Sequence, residues 1–466
     1  MRVVIADLKS RDGFVNKDTI VGGYGARLRG FSWTTRLIER VRKIYQNVPS
    51  IHCAYLAAIF SSAGHEVVFT DEQPADGDLG LVLTSIVDYR HEIRWADDAR
   101  RRGMHVGFFG AMATHVTEVF KDHADFIIKG EPEAAAQRLA QGERLTGLVQ
   151  SPAISALDSL PFPAWHLLAQ ARTSHAVGRS LLPARCAFPV LSSRSCPEFC
   201  TYCPHRITAP YRARSAENVL AEIEELCNRY GRPYLIFRDP LFTEERERSI
   251  AIAEGIIRKR LPVQFECETR LDDLDTDLID LLARAGLHTI TFGVESVDPQ
   301  TLKRVARRPI PQAHQKAIIQ QCRGLGVQTQ GFYVFGFPNE TAESIRATID
   351  YAIELGNTAA MFKVLTPYPG TPLYKQISSR IFETDLEKFD GYTLTFNHPN
   401  LAPDQMQFLL GSAYARFYVR PSWAWNFLGF QGFGKWFERM DNYARRKQLA
   451  NEIAFFGSQN SDGRLE

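Results

Sequence analysis

The chain of 466 residues lacks several features that would narrow its function at once. No uninterrupted apolar run reaches the roughly 18 residues that a membrane-spanning helix needs. Its 55 Lys and Arg nearly balance 53 Asp and Glu, so the overall charge gives no case for nucleic-acid binding. The first residues, Met1-Arg-Val-Val-Ile-Ala-Asp7, predict a strand and show no signal-peptide pattern. We therefore expect a globular, cytoplasmic protein without a transmembrane segment or a nucleic-acid partner.

Cysteine is also scarce, and five of the eight cysteines are scattered, which does not indicate a disulfide framework and suits a reducing cytoplasm. The other three, Cys196, Cys200 and Cys203, lie on one short segment with C-x3-C-x2-C spacing. Thiolates this close are typical of iron–sulfur clusters or zinc. A four-iron cluster held by three cysteines keeps one iron open, whereas His205 would complete a closed Cys3His zinc site. The lack of a second C-x2-C pair favours iron, and zinc stays as the alternative.

Residues 1–150 alternate short apolar strands with helices, which predicts a parallel sheet covered on both faces. The ligand of such a sheet lies beyond the carboxyl ends of its strands. The predicted strand ends carry these candidate binding residues: Asp7, Thr84, Ser85, Gly110, Ala111, Met112, Thr114, Gly130 and Glu131. The connection between residues 8 and 50 far exceeds the roughly 2–6 residues of an ordinary βα loop. It is either a decorated surface loop or a lid over a cofactor or substrate.

A second alternating region, residues 186–400, follows a predicted linker at 151–185 that is rich in Pro, Ser and Ala. Its six strand candidates, separated by helices, predict a parallel sheet that curls toward a partial (β/α)6 barrel. The three cysteines follow the first of these strands, at the end where barrel active sites lie. The predicted strands cover residues 188–193, 234–237, 264–269, 289–292, 328–335 and 360–365.

The last region, residues 401–466, changes to an aromatic and basic composition and is predicted to be helical. One interpretation is a helix that packs across the mouth of the barrel. The other is a surface that meets an apolar substrate or the face of a membrane.

The segment Cys196-x3-Cys200-x-Tyr202-Cys203 resembles the cysteine motif of the radical S-adenosylmethionine (SAM) enzymes. Other segments resemble the cobalamin-binding branch of these enzymes, and together the resemblance covers about residues 1–400. In the second region they are Gly293–Ser296, Gly336–Thr341 and Pro367–Tyr374, and in the first they are Ala63–Val67, Gly110–Thr114 and Lys129–Glu133.

This resemblance implies an α/β fold, with a Rossmann-like, doubly wound cobalamin-binding domain followed by the partial barrel and a helical tail. The three cysteines would bind a [4Fe-4S] cluster whose fourth iron is chelated by SAM. An electron from a donor such as flavodoxin or ferredoxin would split SAM and give a radical that abstracts hydrogen from an unactivated carbon. In methylating members of the branch, cobalamin then delivers the methyl group.

The resemblance also assigns roles to single residues. It implies SAM contacts at Tyr202, Asp239, Glu268, Arg270, Glu295 and Ser296. It implies cobalamin contacts at Thr84, Ser85, Gly110, Ala111, Met112, Thr114, Gly130 and Glu131. The Asp-x-His-x-x-Gly signature is absent, which leaves the lower ligand of cobalt undetermined, and Phe237-Arg238-Asp239 replaces the usual glycine pair.

The predicted reaction is methylation of an unactivated carbon in a metabolite or a lipid. A first alternative keeps cobalamin but performs cyclisation, oxidation or rearrangement without methyl transfer. A second alternative is a zinc-stabilised binding protein without catalysis.

Overall fold

The structure, a computed structural model, describes residues 1–18, 20–46, 48–72, 75–168, 174–175, 184–185 and 187–420. Part of the predicted linker and residues 421–466 of the predicted tail therefore lie outside the described residues. Within the described part of the chain, no helix is both long and apolar enough to cross a membrane.

The helices and strands are numbered in chain order. The strands are β1 (Arg2–Ala6), β2 (Phe14–Asn16), β3 (Ala26–Leu28), β4 (Glu66–Thr70), β5 (Leu79–Leu83), β6 (His105–Phe109), β7 (Phe126–Gly130), β8 (Gly147–Ser151), β9 (Ser174–His175), β10 (Ala184–Arg185), β11 (Ala187–Val190), β12 (Ser193–Arg194), β13 (Arg212–Ala213), β14 (Tyr234–Phe237), β15 (Gln264–Glu268), β16 (Leu287–Glu295), β17 (Gln328–Phe335) and β18 (Ala359–Val364). The helices are α1 (Trp33–Tyr45), α2 (Ile51–Ser62), α3 (Tyr89–Arg101), α4 (Ala111–His115), α5 (Glu133–Ala140), α6 (Ala216–Tyr230), α7 (Arg246–Arg258), α8 (Thr276–Arg284), α9 (Pro299–Arg304), α10 (Gln312–Gly324), α11 (Ala342–Leu355), α12 (Pro372–Ile377) and α13 (Pro403–Tyr418).

The first sheet is six-stranded and parallel, in the order β4-β1-β5-β6-β7-β8. Five of its strands, β1, β4, β5, β6 and β7, lie at the short apolar runs that predict strands, which begin at Val3, Glu66, Leu79, His105 and Asp125. The direction of strand addition reverses between β1 and β5, which makes the carboxyl ends of these strands a topological switch point. Thr84 and Ser85 follow β5 at this point, where ligands of open α/β sheets usually bind.

The second sheet is also six-stranded and parallel, and its strands lie in chain order, β11-β14-β15-β16-β17-β18. All six overlap the predicted strands. The structure thus confirms an α/β fold with parallel sheets. The closure of the second sheet into a partial barrel and the domain boundaries at 150, 185 and 400 stay predictions.

The free edge of β18 is covered by two tyrosines of α13. The Tyr414 hydroxyl accepts from the Phe362 amide at 3.3 Å and donates to the Phe362 carbonyl at 2.9 Å. Tyr418, one turn later, bonds the Ala360 amide at 3.0 Å and carbonyl at 2.7 Å in the same way. An open strand edge would otherwise present unpaired backbone groups. The described part of the predicted tail is therefore a packing helix at the edge of the sheet.

The two sheets belong to one compact unit, residues Met1–Tyr418, and ion pairs join their carboxyl edges. Glu131, just after β7, accepts from Arg212 of β13 at 2.8 Å, and its carboxylate lies 3.4 Å from Arg194 of β12. Asp18, in the long connection after β1, pairs with Arg238 after β14 at 2.6 Å. The ends of the strands that predict ligand binding therefore meet in one place.

Candidate functional site

The cysteine segment leaves β11 and is held at its base by the short antiparallel pair β12–β13. Ser195 has a φ of 68°, an uncommon conformation for a residue other than glycine, and turns the chain immediately before Cys196. Its hydroxyl donates to the carbonyl of His205 at 3.1 Å, which ties the two ends of the segment together. The middle is fixed by Thr201, whose amide donates to the Val305 carbonyl at 3.0 Å. The loop is thus fixed to itself and to the end of α9.

Each cysteine sulfur has its own hydrogen-bond donor. The amides of Glu198 and His205 donate to Cys196 and Cys203, and the Arg307 guanidinium lies 3.9 Å from the Cys200 sulfur. Burial raises the pKa of the Cys196 thiol to about 12, against the effect of its amide donor. Donors of this kind stabilise thiolates and tune the reduction potential of iron–sulfur clusters. The donor set therefore fits three metal-bound thiolates.

Within the residues that the structure describes, no three His, Cys, Asp or Glu side chains surround a single point at metal-ligand distance. The cysteines of a four-iron cluster bind different irons, so a cluster does not need its sulfurs around one point. His205, the fourth ligand of the zinc alternative, serves the loop through its backbone amide and carbonyl. Burial lowers the pKa of its imidazole to about 4, so the ring is neutral at physiological pH.

Asp239, predicted to contact SAM, is fully buried under the start of the cysteine loop. Its carboxylate accepts from the Ser192 amide at 3.1 Å, the Ser192 hydroxyl at 2.8 Å and the Ser193 hydroxyl at 2.5 Å. Arg248 holds the other side of Ser192, donating to its carbonyl at 3.0 Å. The described contacts of Asp239 thus anchor the loop, and contact with SAM stays a prediction.

Tyr202 and Glu295, two further predicted SAM contacts, lie together beside Cys200. The Tyr202 hydroxyl hydrogen-bonds to the Glu295 carboxylate, and Arg307 lies 3.3 Å from the same carboxylate. Arg307 also donates to the Gly293 carbonyl at 2.7 Å. One guanidinium therefore connects β16 with Cys200. Arg307 was not among the predicted site residues, although two consecutive arginines after this strand were a usable signal.

Glu268 and Arg270, two further predicted SAM contacts, lie at the end of β15. Burial raises the pKa of Glu268 to about 7, and nearby Arg238 opposes this effect. Arg270 pairs with Asp272 at 2.9 Å, but its buried Nη1 atom makes no hydrogen bond within the described residues. A buried guanidinium nitrogen left over in this way fits an anionic ligand group such as the carboxylate of SAM.

Ser296, the last predicted SAM contact, is buried and donates to Glu340 at 3.1 Å. The other oxygen of Glu340 accepts from the amides of Gly336 and Phe337 at 2.8 and 3.0 Å. Burial raises the pKa of Glu340 to about 7 despite these donors. Glu340 therefore ties the ends of β16 and β17 together. It lies in Gly336–Thr341, a segment that in sequence shows only the family resemblance and not this role.

The residues predicted to bind cobalamin cluster at the carboxyl edge of the first sheet. Thr84 accepts from the amide of Ala113, and Thr114 accepts from the amide of Gly130 at 3.1 Å, so the three strand ends are cross-linked. Gly110 has a φ of 114°, and Gly130 has a φ of 102° with the Ser151 carbonyl 2.3 Å from where a Cβ would lie. Ala111 and Met112 are buried in the core below this edge.

Two of these predicted contacts have protein partners that account for their position. The amide and hydroxyl of Ser85 both donate to Glu92, at 3.0 and 2.7 Å. Glu131 makes ion pairs with Arg194 and Arg212, which join the first sheet to the β12–β13 pair at the base of the cysteine loop. Contact of either residue with cobalamin stays a prediction.

The long connection after β1 packs between the two sheets and is not a simple surface loop. Tyr24 is fully buried, stacks on Tyr368 at 5.1 Å and donates to the Pro369 carbonyl at 2.5 Å. A Cβ on Gly22 would lie 2.9 Å from the backbone of Pro204, immediately after the last cysteine. Lys17 is also buried and lies 2.7 Å from Glu92. The connection therefore reaches from the first sheet to the cysteine loop, as the lid interpretation requires.

A family model described as the radical SAM superfamily matches residues 190–352, which span the cysteine loop and most of the second sheet. Residues 190–352 therefore form a radical SAM domain. The predicted enzyme class is confirmed, as are the [4Fe-4S] cluster and SAM that the superfamily uses.

Relatives among known proteins carry two kinds of name. An uncharacterized methyltransferase of Pyrococcus horikoshii is 28% identical over 64% of this chain and 68% of its own length. The bacteriochlorophyllide d C-12(1)-methyltransferase of Chlorobaculum tepidum is 24% identical over 75% of this chain and 78% of its own. An anaerobic magnesium-protoporphyrin IX monomethyl ester cyclase of Cereibacter sphaeroides is 26% identical over 62% of this chain and 48% of its own.

Two solved structures share the fold over most of the chain. The radical SAM methyltransferase TsrM from Kitasatospora setae, solved with tryptophan and a SAM analogue, has a TM-score of 0.59 at 16% identity and covers 81% of this chain and 76% of its own. OxsB, a cobalamin-dependent SAM radical enzyme solved with aqua-cobalamin and SAM, has a TM-score of 0.63 at 13% identity and covers 86% of this chain and 64% of its own.

Proposed function

We propose that this radical SAM enzyme uses cobalamin to methylate an unactivated carbon of a metabolite or a lipid. The observation that carries the proposal is the meeting of two carboxyl edges, with the cysteine loop of the second sheet against the predicted cobalamin edge of the first. Glu131 and Arg212 bridge these edges, and Gly22 touches the chain beside Cys203. The names of the methyltransferase relatives and the cobalamin in the OxsB structure support the same function.

When bound, the cluster and SAM supply a carbon-centred radical and cobalamin supplies the methyl group. The chain holds the cluster with Cys196, Cys200 and Cys203, and Arg307 stabilises the Cys200 thiolate by its charge. Arg270 would offer the carboxylate of SAM its Nη1 atom, which makes no hydrogen bond among the described residues. Thr84 and Thr114 keep the strand ends of the first sheet fixed, and the residues at this edge, including Gly110 and Gly130, would hold the cobalamin.

Tyr24 of the long connection and Tyr368, which follows β18, stack on each other, and both are buried. Their packing would help to keep water from a radical formed near the cysteine loop. A radical intermediate requires such a closed site because it reacts with solvent and solutes that reach it.

A second candidate function is radical chemistry without methyl transfer. It is favoured by the cyclase relatives, of which the Cereibacter sphaeroides enzyme aligns with 62% of this chain. The third interpretation, a zinc-stabilised binding protein without catalysis, is set aside because residues 190–352 form a radical SAM domain.

The test begins with protein purified without oxygen and reconstituted with iron, sulfide and hydroxocobalamin. We expect iron–sulfur absorption, a spin-resonance signal on reduction and one corrinoid per chain. Changing Cys200 to Ala should remove the cluster and SAM cleavage together. Changing Thr114 to Phe should exclude the corrinoid but leave the iron content unchanged.

Methyl transfer is separated from other chemistry by following SAM labelled in its methyl group, with dithionite or flavodoxin as the reductant. Formation of S-adenosylhomocysteine together with 5′-deoxyadenosine is expected for the methyltransferase. Formation of 5′-deoxyadenosine alone would favour the second candidate. A reconstituted protein that retains no corrinoid would contradict both cobalamin-dependent functions.

A further inference from the structure

Helix α1 carries an exposed apolar stripe that the proposed chemistry does not use. Its members are Trp33, Leu37, Val41 and Ile44, whose side chains are 62%, 56%, 42% and 67% exposed. They recur every three or four residues, so they lie along one side of the helix. Isolated exposed apolar residues are ordinary, but a continuous stripe of this kind marks a binding surface.

A row of basic residues runs beside this stripe. Arg36, Arg40 and Lys43 are exposed on the same helix and are also spaced by three or four residues. Lys43 pairs with Glu39 at 2.7 Å, while Arg36 and Arg40 have no carboxylate within 4.0 Å in the described residues. The exposed side of α1 is thus apolar along one half and positively charged along the other.

The buried side of α1 fixes the helix firmly to the body of the enzyme. Ser32 and Thr35 form a reciprocal cap at its amino end, and both Thr34 and Thr35 are buried. The helix packs on α13, where Gly411 lies near Phe31. The exposed stripe is therefore presented on a rigid element.

We propose that α1 docks the enzyme on the surface of an anionic lipid bilayer. Helices that lie in the plane of a membrane combine a stripe rich in Trp and Leu with flanking Lys and Arg, as α1 does. The basic row supplies the charge complementarity, because anionic headgroups attract such residues. Two copies of the chain are a poorer fit, since a symmetric pairing through α1 would bring the two basic rows together. An acidic protein would match the charges of the basic row, but its charge would not explain the apolar half of the helix.

The experiment is co-sedimentation of the anaerobically purified, full-length enzyme with vesicles of equal parts phosphatidylglycerol and phosphatidylcholine. We expect binding to these vesicles, weaker binding as salt rises and little binding to pure phosphatidylcholine. The double variant R36Q/R40Q should bind about 25-fold more weakly, at roughly fivefold for each charge removed. The triple variant L37S/V41S/I44S should lose binding.

A matched control variant is L148S/L325S/F382S, which removes three apolar side chains of similar exposure, 50%, 43% and 45%, from other parts of the surface. It should bind as the wild type does, and all variants should keep their iron content and melting temperature. A second control, W423S/W425S, changes the aromatic C-terminal region and should leave most of the binding intact.

Three results would overturn the proposal. The first is a wild-type enzyme that does not bind anionic vesicles, and the second is an α1 triple variant that binds as the wild type does. The third is a dimer, detected by light scattering, that the α1 triple variant converts to a monomer without any change in vesicle binding.

Discussion

Replacing Asp239 tests whether the described contacts or the family resemblance best explain this carboxylate. The side chain is completely buried and accepts three hydrogen bonds from Ser192 and Ser193 at the base of the cysteine loop. We expect D239A to lower the free energy of unfolding and to reduce the iron retained per chain. Weaker binding of SAM should then follow from the loss of the cluster and not precede it.

The loss of unfolding free energy in D239A follows from the hydrogen-bond donors that lose their acceptor. An unsatisfied buried amide costs about 1–3 kcal/mol, and each lost hydroxyl bond to a charged acceptor costs about 1.5–3 kcal/mol more. The two hydroxyls can partly reorient, and release of a buried carboxylate returns some energy, so we expect a net loss of about 3–5 kcal/mol for D239A. D239N keeps one acceptor oxygen and should lose roughly half as much.

The assay is urea unfolding of the anaerobic protein, with iron content and SAM affinity measured on the same samples. The double variant D239N/S192A provides the coupling between the partners, which should exceed about 1 kcal/mol if they interact as the structure indicates. D277N, a change of the same kind at an exposed helical position, should have almost no effect. A D239A protein that unfolds at the wild-type urea concentration and keeps its iron, yet binds SAM poorly, would refute the anchoring role.

Three further predictions concern stability. G130A should lower the free energy of unfolding by about 2–4 kcal/mol, because its Cβ would lie 2.3 Å from the Ser151 carbonyl. The control G142A has a similar φ of 91° but open space around its Cβ, so it should cost only about 1 kcal/mol in the same unfolding assay. Y414F should cost about 2 kcal/mol, because it leaves the amide and the carbonyl of Phe362 without this hydrogen-bond partner. Y351F, whose buried hydroxyl makes no described hydrogen bond, should cost almost nothing. Equal losses of stability in the two variants would contradict the edge-covering role of Tyr414. Burial raises the pKa of Glu340 to about 7 from an unfolded value of 4.5, so the folded protein binds this proton more tightly than the unfolded protein does. The protonated side chain therefore contributes up to about 3 kcal/mol to the free energy of unfolding. This contribution is fully present below pH 4.5 and is lost as the pH rises through 7. E340Q should therefore flatten the pH dependence of the unfolding free energy between pH 4.5 and 7, and an unchanged slope would show that Glu340 is ionised throughout.

Much of the fold was predictable because the buried strands of parallel sheets are short apolar runs. Strands β14 and β17 begin and end at the predicted residues, 234–237 and 328–335. The missed strand β8 (Gly147–Ser151) lies at the edge of its sheet, where Leu148 is 50% exposed and the apolar signal is weak. The pairs β2–β3 and β12–β13 were missed because strands of two or three residues have no period to read.

A sequence indicates a site most directly where one residue type carries the chemistry, and least directly where geometry selects among many similar residues. The spacing of Cys196, Cys200 and Cys203 predicts metal ligands, and this assignment stays a prediction. Asp239, Glu131 and other charged residues at strand ends look alike in sequence, since ligand contacts and internal anchors both need polar groups at that edge. Only the described partners, such as Ser192 for Asp239, distinguish the two uses.

The same ambiguity explains why Arg307 escaped prediction although it touches the site at three points. Its guanidinium contacts Cys200, Glu295 and the Gly293 carbonyl, so one residue far from Cys200 in sequence ties the cysteine loop to β16. Lysine in its place would keep the charge but not the planar fork that reaches three acceptors at once. If the charge alone matters, R307K should keep the reduction potential of the cluster and R307Q should lower it. If the planar guanidinium positions the loop, both changes should shift the reduction potential and lower the iron retained per chain to the same extent. Potentiometry with spin-resonance detection separates these two roles.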